Sequence, residues 1–152
     1  MHENKTILLV DDCENDLILM RIAFRKAGFN NRLNEVHNGE QAICYMKGEG
    51  QYEDREKFPM PSWMILDLNM PRKNGFEVLT WMRAQTEFKH FPIIVLTAST
   101  RPQDVQQAFD LGATSFLVKP SDLADLTAMI QCLRDWFQIN HFPPLNTMVQ
   151  RE

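Results

Sequence analysis

Residues 6 to 16 read TILLVDDCEND, an apolar run that stops at two adjacent aspartates. Ile7, Leu8, Leu9 and Val10 do not alternate with polar residues, so the run predicts a strand buried on both faces. Strands of that kind belong in parallel sheets covered by helices. Asp11 and Asp12 stand at its carboxyl end, where like charges repel and consecutive side chains point to opposite faces. Asn15 or Asp16 suits the cap of a following helix, and acids suit its positive end. Capping accounts for those two residues and leaves Asp11 and Asp12 without a task.

Outward from this stretch the strand–helix unit repeats. NDLILMRIAFRKAG places Leu17, Met20, Phe24 and Ala27 on one helical face, and Gly28 can stop the helix. RLNEV, residues 32 to 36, is a short alternating strand, and Ala42, Ile43 and Met46 in NGEQAICYMKG have helical spacing. Residues 48–61, GEGQYEDREKFPMP, break both periods and read as an extended charged loop. SWMILD then gives a strand ending at Asp67, GFEVLTWMRAQ a helix, and PIIVLTA a strand ending at Thr97. RPQDVQQAFDLGA is a helix and TSFLVK a strand ending at Lys119. Leu123, Leu126, Ile130, Leu133 and Phe137 line the last helix. Five strands alternating with five helices predict one α/β domain over residues 1–138, a five-stranded parallel sheet with right-handed crossovers and helices on both faces. Residues 139–152, with Pro143-Pro144, are expected to be a short tail, with no output domain.

Composition narrows the function classes. The 152 residues are 44% hydrophobic and 24% charged, which suits one globular domain with a full core. A net charge of -4 argues against a sequence-independent nucleic-acid binder. No apolar stretch reaches membrane-span length, and the polar Met1–Thr6 start is unlike a signal peptide, so a cytoplasmic location is expected. Cys13, Cys44 and Cys132 form no CxxC pair, and the four histidines show no ligand spacing.

In open parallel sheets ligands sit beyond the carboxyl ends of the strands. Those ends carry Asp11 and Asp12, Asp67, Thr97 and Lys119, while strand two ends at Val36-His37 with nothing reactive. Three carboxylates on one rim repel at a cost on the order of 4 kcal/mol per pair about 4 Å apart. A hard divalent cation removes that cost. Mg²⁺ fits a few carboxylates and leaves positions for water and phosphate oxygens, whereas no DxDxDG loop supplies a calcium cage. With the metal in place one carboxylate can attack a phosphoryl group, and Lys119 and Thr97 can neutralise its oxygens.

LLVDD, ILDLNMPRKNG, VLTA and FLVKP, in that order, resemble the four signatures of the CheY-like receiver domain of two-component response regulators, over residues 6 to about 137. The resemblance implies a flavodoxin-like (βα)5 receiver that is not an enzyme but accepts a phosphoryl group on Asp67 from a histidine kinase or phosphotransfer protein. It implies Asp12 as direct Mg²⁺ ligand, Asp11 acting through water, and the Asn69 backbone carbonyl as a further ligand. Lys119 becomes the partner of the acceptor carboxylate and then of the phosphoryl oxygens, Thr97 the hydroxyl switch, and Phe116 the aromatic that moves with it. Asn69 and Ser99, each two residues beyond a site residue, are expected to tune the phosphoryl lifetime. The resemblance also implies a cis Lys119–Pro120 bond, where sequence alone favours trans.

Output is expected through the face built by the fourth helix, fifth strand and fifth helix, toward an unidentified downstream protein. Trp136, Phe137, Phe142 and Leu145 are candidates to extend that face into a homodimer contact. The long 48–61 loop and KPSDL resemble stand-alone regulators paired with bacterial phytochrome-type histidine kinases. An aspartate-nucleophile phosphatase of the haloacid-dehalogenase type is the rival enzyme reading, although it needs a second aspartate where Asn69 stands. A binding module that keeps the pocket without being phosphorylated is the third reading.

Overall fold

The computed structural model describes residues 5–145. Five strands, β1 (Thr6–Val10), β2 (Arg32–Val36), β3 (Trp63–Leu66), β4 (Ile93–Thr97) and β5 (Ser115–Val118), form one parallel sheet in the order β2-β1-β3-β4-β5. The helices between and after them are α1 (Glu14–Lys26), α2 (Gly39–Lys47), α3 (Gly75–Ala84), α4 (Pro102–Asp110) and α5 (Leu123–Ile139). Element order and type are those expected from the sequence. No helix among the described residues is long and apolar enough to cross a membrane.

Strand alternation divides the core in two. Leu8, Val10, Met64, Leu66 and Val95 face α2, α3 and α4, where Tyr45, Val78 and Met82 close the layer. Ile7, Leu9, Trp63, Ile65 and Leu96 face α1 and α5, packed by Leu17, Phe24, Ile130 and Phe137. The central strands are buried at every position, which is why they read as unbroken apolar runs. Strand order reverses direction at β1, with β2 on one side and β3 on the other, so the crevice beyond β1 and β3 is the switch point where such sheets hold ligands.

Three local features depart from the expectations or add to them. Neither Asn15 nor Asp16 caps α1; both lie inside its first turn, and Cys13 occupies the cap position without a side-chain bond. The Asp11 carboxylate accepts the Cys13 N–H at 2.9 Å instead, steering the chain into the helix. Residues 48–61 pack part of their length against the domain. They contain a 3₁₀ turn, Gly50–Tyr52, and Tyr52 is only 6% exposed. Its ring meets Tyr45 and Phe58 at centroid distances of 5.1 Å, edge-on for Phe58. Arg55 lies half-buried beneath, donating to the carbonyls of Tyr45 (2.8 Å), Met46 (2.9 Å) and Phe58 (3.0 Å). Two of those carbonyls belong to the last turn of α2, where a cation meets the negative end of the helix. Third, the Lys119–Pro120 bond is trans, as the sequence alone favours and against the cis form that the family resemblance implies.

The C-terminal aromatics pack on their own domain. Phe137 stacks on Trp63 with centroids 4.0 Å apart, Phe142 sits against Trp136 and Phe137, and Leu145 contacts the other core layer.

Candidate functional site

Register builds the site. Val10 pairs with both Val36 and Leu66, so the residues that follow, Asp11 and Asp67, leave the sheet side by side. Backbone bonds hold them there, Asp11 N–H to the Val36 carbonyl at 3.2 Å and Asp67 N–H to the Val10 carbonyl at 3.0 Å. Thr97 pairs with Val118, and the Lys119 N–H donates to the Thr97 carbonyl at 2.8 Å. Alternation continues past the strand ends. Asp11, Asp67 and Lys119 fall in phase with the layer under α1 and α5; Thr97 and Phe116 fall in phase with the layer under α4.

Asp11, Asp12 and Asp67 each offer a carboxylate oxygen, and these atoms lie within 4.8 Å of one another. Asp11 and Asp67 are buried and Asp12 is exposed. Two buried like charges and a third at their edge fit a divalent cation approached from solvent, with its remaining positions left to water, substrate oxygens or a backbone carbonyl. Asn69, exposed on the next turn, lines a cleft with Asp12 and Leu68. Its N–H reaches the Asp67 carboxylate at 3.4 Å.

Lys119 supplies the positive charge. Its ammonium lies 3.5 Å from Asp67, 2.7 Å from Asp11 and 2.7 Å from Asp16. Burial pulls the ammonium toward neutrality, but its hydrogen bonds to Asp11 and Asp16 and the charges of Asp67 and Asp11 outweigh it, leaving the pKa raised. For Asp11 the balance falls the other way. Burial raises its pKa above the ordinary 3.8, and the Lys119 bond and the Cys13 N–H only partly offset this, with Asp67 adding to the rise. The lysine is therefore held charged, and Asp11 holds its charge reluctantly.

Thr97 is fully buried, and its hydroxyl is a buried polar atom without a hydrogen-bond partner among the described residues. An orphaned hydroxyl at the rim is available to a ligand oxygen. Phe116 is half-buried against the α4-side layer. Ala98 is exposed and Ser99 half-buried. The Ser99 hydroxyl is already engaged, donating to Asp104 at 2.5 Å and accepting the Arg101 N–H at 3.3 Å, so it fastens the start of α4. The expected turn after Asp67 is equally tight. A Cβ on Gly75 would stand 2.4 Å from the Asp67 carbonyl oxygen, so only glycine lets α3 start beneath Asp67.

The structure thus brings together Asp11, Asp12, Asp67 and Lys119, with Asn69 and Thr97 at the border. Asp16 and Asp104 are the residues that the sequence reading missed. Asp16 had a signal: it stands four residues before buried Met20 on the same helical row, an acid on an apolar stripe.

The sequence profile of the response regulator receiver domain matches residues 7–131. The chain belongs to that family. It is 32% identical over 133 residues to response regulator Rcp1 of Synechocystis sp., covering 88% of each chain. Among solved structures, the Mn²⁺-bound form of Rcp1 is similar with a TM-score of 0.80 and 31% identity, covering 91% of this chain and 99% of that one. Response regulator RPA3017, described in red light signalling of R. palustris, is similar with a TM-score of 0.86 and 31% identity, covering 91% and 98%. This receiver is a protein of phosphorylation-based two-component signalling, in which a histidine kinase is the general partner and a divalent cation the general cofactor.

Proposed function

We propose that Asp67 is the phosphoacceptor of this receiver and that Mg²⁺ is its metal. One observation carries the reading: Asp11, Asp12 and Asp67 meet within 4.8 Å, and the Lys119 ammonium stands 3.5 Å from Asp67. An Asp67 carboxylate oxygen attacks the phosphorus of a phosphohistidine. The new O–P bond forms as the N–P bond breaks, and its electron pair returns to the imidazole nitrogen. Asp12 and Asp67 would hold Mg²⁺ directly, with the Asn69 carbonyl, and Asp11 would act largely through water. The cation's part is to neutralise charge on the transferring oxygens. Lys119 takes one phosphoryl oxygen as a point charge, and the Thr97 hydroxyl, without a partner at rest, takes another. Drawing Thr97 toward the phosphoryl group pulls on β4, vacates space for Phe116, and alters the face of α4, β5 and α5. α4 is the helix suited to respond, because Ala108 is its one buried side chain. Phe109 and Val118, 48% and 41% exposed, offer that face a downstream protein or a second copy of the chain.

A hydrolase would need an acid at position 69 to protonate a leaving group, and the Asn69 amide has no proton of that kind to give. Slow loss of the phosphoryl group is left to water, with Asn69 and Ser99 bordering its path. Asn69→Glu and Ser99→Ala are expected to change the decay rate. The similarity to solved structures described as the cyanobacterial phytochrome response regulator RcpA and the bacteriophytochrome response regulator RtBRR supports a kinase of the phytochrome class as donor, and a cytoplasmic setting is proposed with it.

Incubation with acetyl phosphate and Mg²⁺, read by intact mass, tests the central step. Wild type should gain one acid-labile phosphoryl group and Asp67→Asn none. Continuous turnover of acetyl phosphate without mass gain would instead establish the hydrolase.

A further inference from the structure

We propose that Asp16 is a positioning residue for this pocket, a counter-charge on α1 that keeps the Lys119 ammonium off the acceptor carboxylate at rest and releases it when an anion forms there. The proposal rests on Asp67 being the phosphoacceptor. A lysine ammonium has three donors and no acceptor. Two are spent on short, charge-assisted bonds of 2.7 Å, to Asp11 and to Asp16, while Asp67 lies at 3.5 Å, the outer edge of a hydrogen bond. Asp16 is not among the carboxylates that converge on a cation position; that set is Asp11, Asp12 and Asp67. Its contact within the pocket is the lysine. Lys119 and Asp16 line one small pocket with Leu19, Met20, Leu96, Pro120 and Leu126, apolar surface against which a lysine stem can lie while its head meets the acids.

The division of labour follows from charge and exposure. A cation on Asp11, Asp12 and Asp67 is repelled by an ammonium at Asp67, so drawing Lys119 toward α1 favours metal binding and leaves an Asp67 oxygen free to attack. After transfer, new negative oxygens on Asp67 compete for the same ammonium. Asp11 and Asp16 differ in how easily they let go. The Asp11 side chain is 9% exposed and would be stranded, whereas the Asp16 side chain is 35% exposed and water can replace the lysine. Asp16 is the partner that can be given up.

This predicts opposite signs for two ligands. Isothermal titration of the full chain with Mg²⁺, and with beryllium trifluoride at saturating Mg²⁺, should be run on wild type, Asp16→Asn and Asp16→Glu. Asp16→Asn should weaken Mg²⁺ and tighten beryllium trifluoride, each by about three- to tenfold, the scale of one screened charge. Asp16→Glu keeps the charge and should stay near wild type for both. A structural role alone would weaken both ligands together, and that result overturns the proposal, as does an Asp16→Asn protein that matches wild type. If wild type takes up neither ligand, the phosphoacceptor reading falls and the Asp16 assignment with it. A wild type that binds both beside an unchanged Asp16→Asn variant removes the Asp16 assignment alone.

Discussion

Two charge-rich stretches of this chain have opposite designs. At the strand ends, Asp11, Asp12, Asp67 and Lys119 turn toward one another and leave the group short of positive charge. In residues 48–61, Glu49, Glu53, Asp54 and Glu56 face water. Arg55 turns inward and spends its donors on neutral backbone carbonyls. The pocket holds repulsion that a ligand can relieve. The lobe uses a charge as a bracket, clamping the end of α2 to a cluster of Tyr45, Tyr52 and Phe58. A run of charges in a sequence is therefore no guide to solvation until the partners of each are known. One region gives up stability for reactivity and the other adds stability.

The largest expected effect lies in the lobe. Arg55→Met keeps an aliphatic stem but leaves three carbonyls without their donor, a loss of about 2–3 kcal/mol at the scale of hydrogen bonds to a charged group. Burial already holds the Arg55 guanidinium below its usual pKa, so the bonds offset a desolvation that the variant no longer carries, which places the loss toward the lower end. Urea unfolding measures it. Acetyl phosphate labelling of Asp67 should be unchanged; a large fall in labelling at native temperature would show that the two regions are not independent.

The pocket was readable from the sequence because its residues sit where unbroken apolar runs end, and parallel register aligns those ends. Asp11, Asp67, Thr97 and Lys119 needed no knowledge of packing beyond strand order. The lobe was not readable, since the partners of Arg55 are backbone carbonyls, which every sequence possesses. Asp16 lay between these cases. Its helical phase with Met20 marked an inward acid, but its partner lies 103 residues away on β5's exit, and only the fold joins them. The α1 cap was misread for a related reason: the Asp11 side chain bonds the Cys13 N–H, so the acid before the helix took the task expected of those inside it.

A pH titration sharpens the contrast from the pocket side. Asp11 has a folded pKa raised above 3.8, so the folded state binds its proton more tightly than the unfolded chain does. The metal-free protein should gain stability as pH falls from that raised value toward 3.8 and gain nothing further from this group below. Mg²⁺ needs the ionised form, so its affinity should fall in the same window, by up to about tenfold per pH unit for one competing proton. Lys119, raised above 10.5, contributes stability that is complete below that pH and is lost as pH climbs through its folded value. Thermal melts with and without Mg²⁺ separate the two. A metal-free protein that weakens steadily between neutrality and pH 4 would contradict the burial argument for Asp11. Arg55, whose partners are carbonyls, should contribute no slope in that range.

The smallest effect is the most diagnostic of a pocket that forgoes stability. Thr97 is fully buried with its hydroxyl unpaired, and valine has nearly the same shape. Thr97→Val removes a polar atom that the fold desolvates without recompense, so the resting protein should gain about 0.5–1 kcal/mol, below the usual cost of an unmet buried donor because the site borders solvent. Removing the hydroxyl should leave Asp67 able to accept a phosphoryl group, since the attacking oxygen and Lys119 are untouched. What should disappear is the response at Phe116 and α4, read by hydrogen exchange with and without acetyl phosphate. If Thr97→Val destabilises the resting state, its hydroxyl has a partner at rest, and the orphaned donor is not the device that couples the acceptor to α4. A gain in stability together with a silent α4 would mean that the hydroxyl is kept for the phosphorylated state alone, in contrast to the guanidinium of Arg55, whose bonds are all formed at rest.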